Sequence, residues 1–253
     1  MFTEFLYKID LIYIFLANLA VLVAATLVFY FFGKSRHHKE RNVINEILPT
    51  SILGLLALLL GFTFSMSISR FDNRKHLVLK EANSIGTAYL RTDLLPSPQR
   101  EQVKTLLQEY TAHRLTFFQN IRTNTADYQK KSQDLQTQIW KTAVDVSGSL
   151  QGPVTSLVIQ SLNDVIDTDG ERVFATYDHV PEVVYYVIML ITLLGVGSLS
   201  YVVGAKGQRM LAPLFLSVLF ALVIGLIQDL DRPGRGMIQI GEESLIQLQQ
   251  SFK

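Results

Sequence analysis

The sequence predicts an all-α membrane protein: four transmembrane helices, and a helical extramembrane domain formed partly by extensions of those helices. Three observations predict it. The 253 residues are 49% hydrophobic and only 18% charged, too apolar a balance for a soluble domain of mixed surface. Residues 11–33, 47–69, 183–205 and 210–228 contain no Asp, Glu, Lys or Arg, and about 20 such residues suffice for a helix to cross the hydrocarbon core. No segment shows convincing period-two alternation, whereas several keep a helical period.

Taken in order, the first run is too long for the h-region of a signal peptide, and no small-x-small cleavage site follows Gly33-Lys34, so it reads as a span. The second run passes through "GFTFSMSISRFDNRK" (61–75) without a helix breaker. From Thr50 to Asp93 there is no proline and the glycines are isolated. This span is therefore expected to continue as one helix to about Leu94, and the 24 residues past the bilayer would project roughly 36 Å. "LLPSP" (94–98) breaks the chain, with Ser97 and Pro98 suited to an N-cap and first turn. Apolar residues then recur at helical spacing at Val103, Leu106, Leu107, Tyr110, Phe117 and Ile121. They recur again at Tyr128, Leu135, Ile139, Ala143 and Val146, and after "GSLQGP" at Val154, Leu157, Val158, Leu162 and Val165. The expected organisation is transmembrane helices 1 and 2 in 1–69, a helical extramembrane domain of about three helices in 70–182, transmembrane helices 3 and 4 in 183–228, and a C-terminal tail in 229–253.

The short loops carry the positive charge. Lys34, Arg36, Lys39 and Arg41 lie between the first two spans, and Lys206 and Arg209 in the "KGQR" hairpin between the last two. The short tails hold Lys8, Arg232 and Arg235 near the membrane. The positive-inside rule puts both loops in the cytoplasm, and both termini and residues 70–182 on the outer side.

Small residues form stripes on two spans. Ala57, Gly61, Ser65 and Ser69 recur every four residues, continued by Asn73, and Ser217, Ala221 and Gly225 do the same, with Asp229 next. Such stripes let helix backbones approach closely in lipid, or they line a polar conduit; both readings stand at this point. Helices two and four leave the membrane on the same side. Arg70, Asp72 and Arg74 then lie at the level of Asp229, Asp231 and Arg232, where Arg70 or Arg74 can reach Asp229 or Asp231. The group reads either as an interfacial ion-pair network or as a charged vestibule.

Other chemistry is excluded or weak. There is no cysteine, hence no disulfide, thiolate metal site or Cys nucleophile. "DTDG" (167–170) has Val165 and Thr176 where a calcium loop needs acidic ligands, so it reads as a solvated acidic helix end. His113 falls on an apolar helix face and reads as a packed histidine; His37 and His38 read as solvated or near lipid headgroups. No G-x-S-x-G, phosphate-cradling glycine loop or H-E-x-x-H is present. No catalytic residue, metal or cofactor is expected. A net charge of +1 gives no nucleic-acid footprint.

Two motifs carry a family resemblance: "LLGFTFSMSISRFDNRKHLVLKEANSIGTAYLRTDLLP" (59–96) and "LDRPGRGMIQIGEESLIQLQ" (230–249). With the four-span layout, they resemble a bacterial membrane family labelled bestrophin-like. The resemblance implies a homo-oligomeric ion channel of the bacterial inner membrane, related to the pentameric bestrophin anion channels, with the lipid bilayer and inorganic ions as its partners. Phe64, Ile68 and Phe71 share one face of the second helix, as a bestrophin-type hydrophobic neck needs. The alternative function is a non-conducting membrane scaffold or sensor whose helical domain binds a partner.

Overall fold

The computed structural model describes residues 9–36, 44–117, 125–149, 152–232, 234 and 236–252. Among them there is no strand. The helices are α1 (Leu11–Ser35), α2 (Ile44–Arg91), α3 (Gln99–Arg114), α4 (Thr125–Ser149), α5 (Pro153–Tyr177), α6 (Glu182–Ala205), α7 (Leu211–Leu230) and α8 (Glu243–Ser251), with a 3₁₀ turn at Thr92–Leu94. Helices long and apolar enough to cross a membrane occur at the four charge-free runs, in α1, α2, α6 and α7. His37, His38, Lys39, Arg41, Ile121, Lys8 and Arg235 lie outside the described residues.

The second helix runs for 48 residues without a break at Arg70. Its charged half is built from good helix formers such as Arg70, Lys75, Lys80 and Glu81, and nothing after Pro49 removes a backbone donor. It ends where the chain approaches Pro96, because the residue before a proline is pushed out of the α region; Leu95 is extended, with ψ 148°. The third helix starts one residue later than the sequence suggests. Pro98 occupies the N-cap, with no side-chain cap.

The chain divides into two compact units. One comprises residues 1–69 and 179–238. In it α1 lies against both α6 and α7. Two glycines allow the approach of α1 to α6: a Cβ on Gly33 would collide with the Tyr201 carbonyl oxygen, and one on Gly204 with that of Tyr30. A second cluster packs Leu56 and Leu60 of α2 against Tyr185 and Ile188 of α6 and Ile224 and Ile227 of α7.

The other unit comprises residues 70–178 and 239–253. Its core joins Val78, Ile85 and Ala88 of α2 to Val103, Leu107 and Tyr110 of α3, Leu135 and Ile139 of α4, and Leu162 and Val165 of α5. Burying a Leu or Ile of this kind stabilises by roughly 1.5–3 kcal/mol. At the start of α5 the expected face is corrected: Val154 and Leu157 are exposed, and Thr155 and Val158 face inward. The last residues form a short helix, α8, whose Leu245 is fully buried. Leu248 touches Gly86, and Phe252 packs on the Tyr89 ring at 4.5 Å.

Candidate functional site

The alternating hydroxyl residues of α2 separate onto two faces. An α-helix advances about 100° per residue, so positions two apart point nearly opposite ways. Thr63 and Ser67 are buried, at 4% and 0% exposure, whereas Ala57, Gly61, Ser65, Ser69 and Asn73 are all exposed. Nothing lies within 4 Å of a Cβ built on Gly61. One long edge of α2 is thus small, polar and unoccupied by any side chain near Gly61. Phe62 and Met66, one position on from Gly61 and Ser65, are also exposed. Phe64 and Phe71 are half-buried, Phe64 against the Leu56–Leu60 cluster and Phe71 against the Val78–Ile85 core; Ile68 is half-buried as well.

The stripe on α7 has a different environment. Ser217, Ala221 and Gly225 are buried. Ser217 and Thr26 of α1 share a hydrogen bond of 2.6 Å between their hydroxyls. A Cβ on Gly225 would press on the Phe15 ring at 3.0 Å. One of the two hydroxyls donates across the Thr26–Ser217 contact and the other donates to its own helix, Thr26 to the Leu22 carbonyl or Ser217 to that of Pro213, since each carries a single proton. That keeps polar groups paired where no water competes.

Charged side chains organise the span ends. Asp229 is 4% exposed and accepts from the Met237 and Ile238 amides at 2.8 and 3.0 Å. It thereby closes a turn in which Gly234 has φ 65° and Gly236 has no room for a Cβ against the carboxylate. Asp231 is buried and accepts from the Val180 amide at 2.9 Å and the Tyr185 hydroxyl at 3.2 Å, tying the end of α7 to the start of α6. Arg232 donates to the Ile9 carbonyl at 2.6 Å, just ahead of α1. In the other unit Arg74 is 4% exposed and donates to the Ala175 and Asp178 carbonyls at 2.9 and 2.7 Å. These are the orphan acceptors at the C-terminus of α5, where a cation is also favoured by the helix dipole. Arg70 reaches Asp178, with Nε 3.4 Å from Oδ2. Asp72 is exposed.

A buried ionic cluster lies inside the residue 70–178 unit and was not foreseen as a site. Glu81 of α2 binds Arg114 of α3 at 2.5 Å and also Arg172 of α5. Arg114 pairs with Asp169, and Arg172 with Glu242 at 2.9 Å. Asp169 is only 7% exposed and lies within α5, which corrects its reading as part of a solvated helix end. Burial raises the carboxyls of Asp169 and Glu242 above their ordinary values, against the opposing pull of Arg114 and Arg172 respectively. It also pushes the Tyr128 phenol up to about 12. His113 is buried, stacked on the Tyr128 ring at 4.2 Å and bonded to Ser132 at 3.1 Å, and burial holds it below its usual value. Among the described residues no group of His, Asp and Glu is arranged to hold a metal ion.

These features define a four-span, all-α membrane protein with a helical second unit. The chain belongs to the bestrophin-like family, whose domain model matches residues 15–245. Solved structures with the same fold include a bacterial bestrophin homologue from Klebsiella pneumoniae, 16% identical, covering 96% of this chain and 97% of that one at a TM-score of 0.67. A single-residue variant of a Klebsiella pneumoniae bestrophin homologue covers 99% of this chain and 98% of its own, at 15% identity and a TM-score of 0.65. Another, described as a membrane protein, is 16% identical and covers 96% of this chain and 97% of its own at a TM-score of 0.68. No curated protein matches the chain in sequence.

Proposed function

We propose that copies of this chain assemble in the bacterial inner membrane into an ion channel whose conduit is lined by the exposed stripe of α2. The observation that carries this reading is the separation of the hydroxyls, with Thr63 and Ser67 buried while Ser65 and Ser69 are exposed. A polar edge gains little from lipid tails, whereas copies arranged around water both hydrate the serines and shield the backbone beside Gly61. No carboxylate occurs in residues 47–69, so this lining sets no negative charge against an anion, and the Ser65 and Ser69 hydroxyls can each turn a donor toward one. Ile68, half-buried next to this edge, is the member of the proposed Phe64–Ile68–Phe71 neck best placed to narrow it. The short basic loops face the cytoplasm, and the termini and residues 70–182 the outer side.

The test uses the absence of native cysteine. Single cysteines replacing Ser65 or Ser69 are expected to let a charged thiosulfonate reagent block the current. Cysteines replacing Thr63 or Ser67 are expected to be silent. Equal reactivity at all four positions contradicts the assignment of the lining face.

A further inference from the structure

An apolar groove of about 220 Å³ lies between α1, α6 and the start of α2. Its walls include Phe29 and Phe32 of α1, Leu48 and Pro49 of α2, and Leu194 and Tyr201 of α6. Phe29, Phe32, Leu48 and Leu194 are 41–54% exposed, so the groove opens outward. The Gly33–Gly204 contact draws the two backbones together at one end. Phe32 and Tyr201 are left side by side there, with ring centroids 6.0 Å apart.

Two further observations indicate the occupant. The Arg36 guanidinium lies over the Phe32 ring, 4.7 Å from its centroid, so a fixed cation stands at the rim. Lys34, Lys206 and Arg209 are exposed at the same loop end of the spans. Leu48 is also nine residues from Ala57, about 180° round α2. The groove therefore opens away from the start of the small-residue stripe, on a side left to the bilayer.

We infer that the α1–α2–α6 groove is a binding site for an anionic phospholipid, with an acyl chain along Phe29, Leu194 and Tyr201 and the phosphate held by Arg36. Cation plus greasy slot is the chemistry that recognises such a lipid: the slot orders the chain, and the guanidinium discriminates phosphatidylglycerol from a zwitterionic headgroup. The site is independent of conduction.

The experiment places a tryptophan in the groove as Leu194→Trp, in a Trp140→Phe background, and at similar depth on α7 as Leu222→Trp. Each variant is reconstituted in phosphatidylcholine vesicles containing either acyl-brominated phosphatidylglycerol or acyl-brominated phosphatidylcholine, and quenching is titrated. At Leu194→Trp the brominated phosphatidylglycerol is expected to bind about fivefold more tightly, the contribution of one interfacial cation. Arg36→Gln is expected to abolish that preference, and Leu222→Trp to show none. A check without the reporter is native mass spectrometry of the wild-type protein, with a phosphatidylglycerol adduct expected and its loss in Arg36→Gln. Equal preference at both tryptophans means that the basic loops attract lipid generally, and overturns the site. No quenching at Leu194→Trp means that a second copy covers the groove, and overturns it too. So does a preference that survives Arg36→Gln.

Discussion

The Arg114 guanidinium and the Glu81 carboxylate meet at 2.5 Å with neither side chain exposed to solvent. Glu81 also holds Arg172, so one carboxylate joins α2, α3 and α5, and Arg172 passes the linkage to Glu242 in the tail. Removing the shared anion leaves two buried cations with less compensation. Glu81→Gln is therefore expected to destabilise the protein by about 3–5 kcal/mol, read as an early loss of helical circular dichroism on heating in detergent. A variant with wild-type stability means that the cluster contributes little.

The same cluster gives a pH dependence. A carboxyl raised in the folded state, as burial raises those of Asp169 and Glu242, holds a proton that the unfolded chain has released. Its stabilising contribution is complete below the unfolded value and is lost as pH rises through the folded one. His113, held below its usual value by burial, acts in the opposite direction as pH falls, so the carboxyl contribution is read as a difference between variants. On lowering pH from 7 toward about 4, the unfolding temperature of the wild type is expected to rise relative to that of Glu242→Gln, in which the His113 contribution is unchanged. Parallel pH profiles for the two proteins contradict a raised Glu242 carboxyl.

Glycine positions separate close contact from open helix surface. Gly33→Ala and Gly204→Ala each drive a methyl into the backbone of the partner helix, and both are expected to lower the unfolding temperature sharply. Gly54→Ala meets nothing within 4 Å and gains about 0.5–1 kcal/mol of helix preference. Thermal unfolding of the three variants in one detergent checks the order.

Sidedness follows from the loop charges. Cysteines at Ser35 and Ser156, both exposed, report the two sides in an otherwise cysteine-free chain. An impermeant maleimide applied to intact cells is expected to label the cysteine replacing Ser156 and spare the one replacing Ser35. The reverse pattern places the helical unit in the cytoplasm.

The spans were legible because lipid leaves little freedom: charge-free runs of this length have few alternatives to a crossing helix. Continuity of α2 was legible too, since nothing between Thr50 and Arg91 interrupts a helix. The ionic cluster left a signal that hydropathy alone passes over. Glu81 falls among Val78, Ala82 and Ile85, Arg114 continues Val103, Leu107 and Tyr110, and Asp169 and Arg172 continue Val158, Leu162 and Val165. Each charge stands at a core position of its helix, where only a partner from another helix makes burial tolerable. Local sequence shows the position but not the partner. Nor does it show α8, nine residues long, whose Leu245, Leu248 and Phe252 find their packing only from distant segments.

Recording purified protein in a planar bilayer under asymmetric chloride salt shows whether the stripe of α2 lines a conduit for anions. The expected current reverses toward the chloride equilibrium potential and falls when Ser65→Leu replaces a hydroxyl with a bulky apolar side chain. Silence of the wild-type protein across voltage, pH and calcium contradicts it, as does a current that Ser65→Leu leaves unchanged.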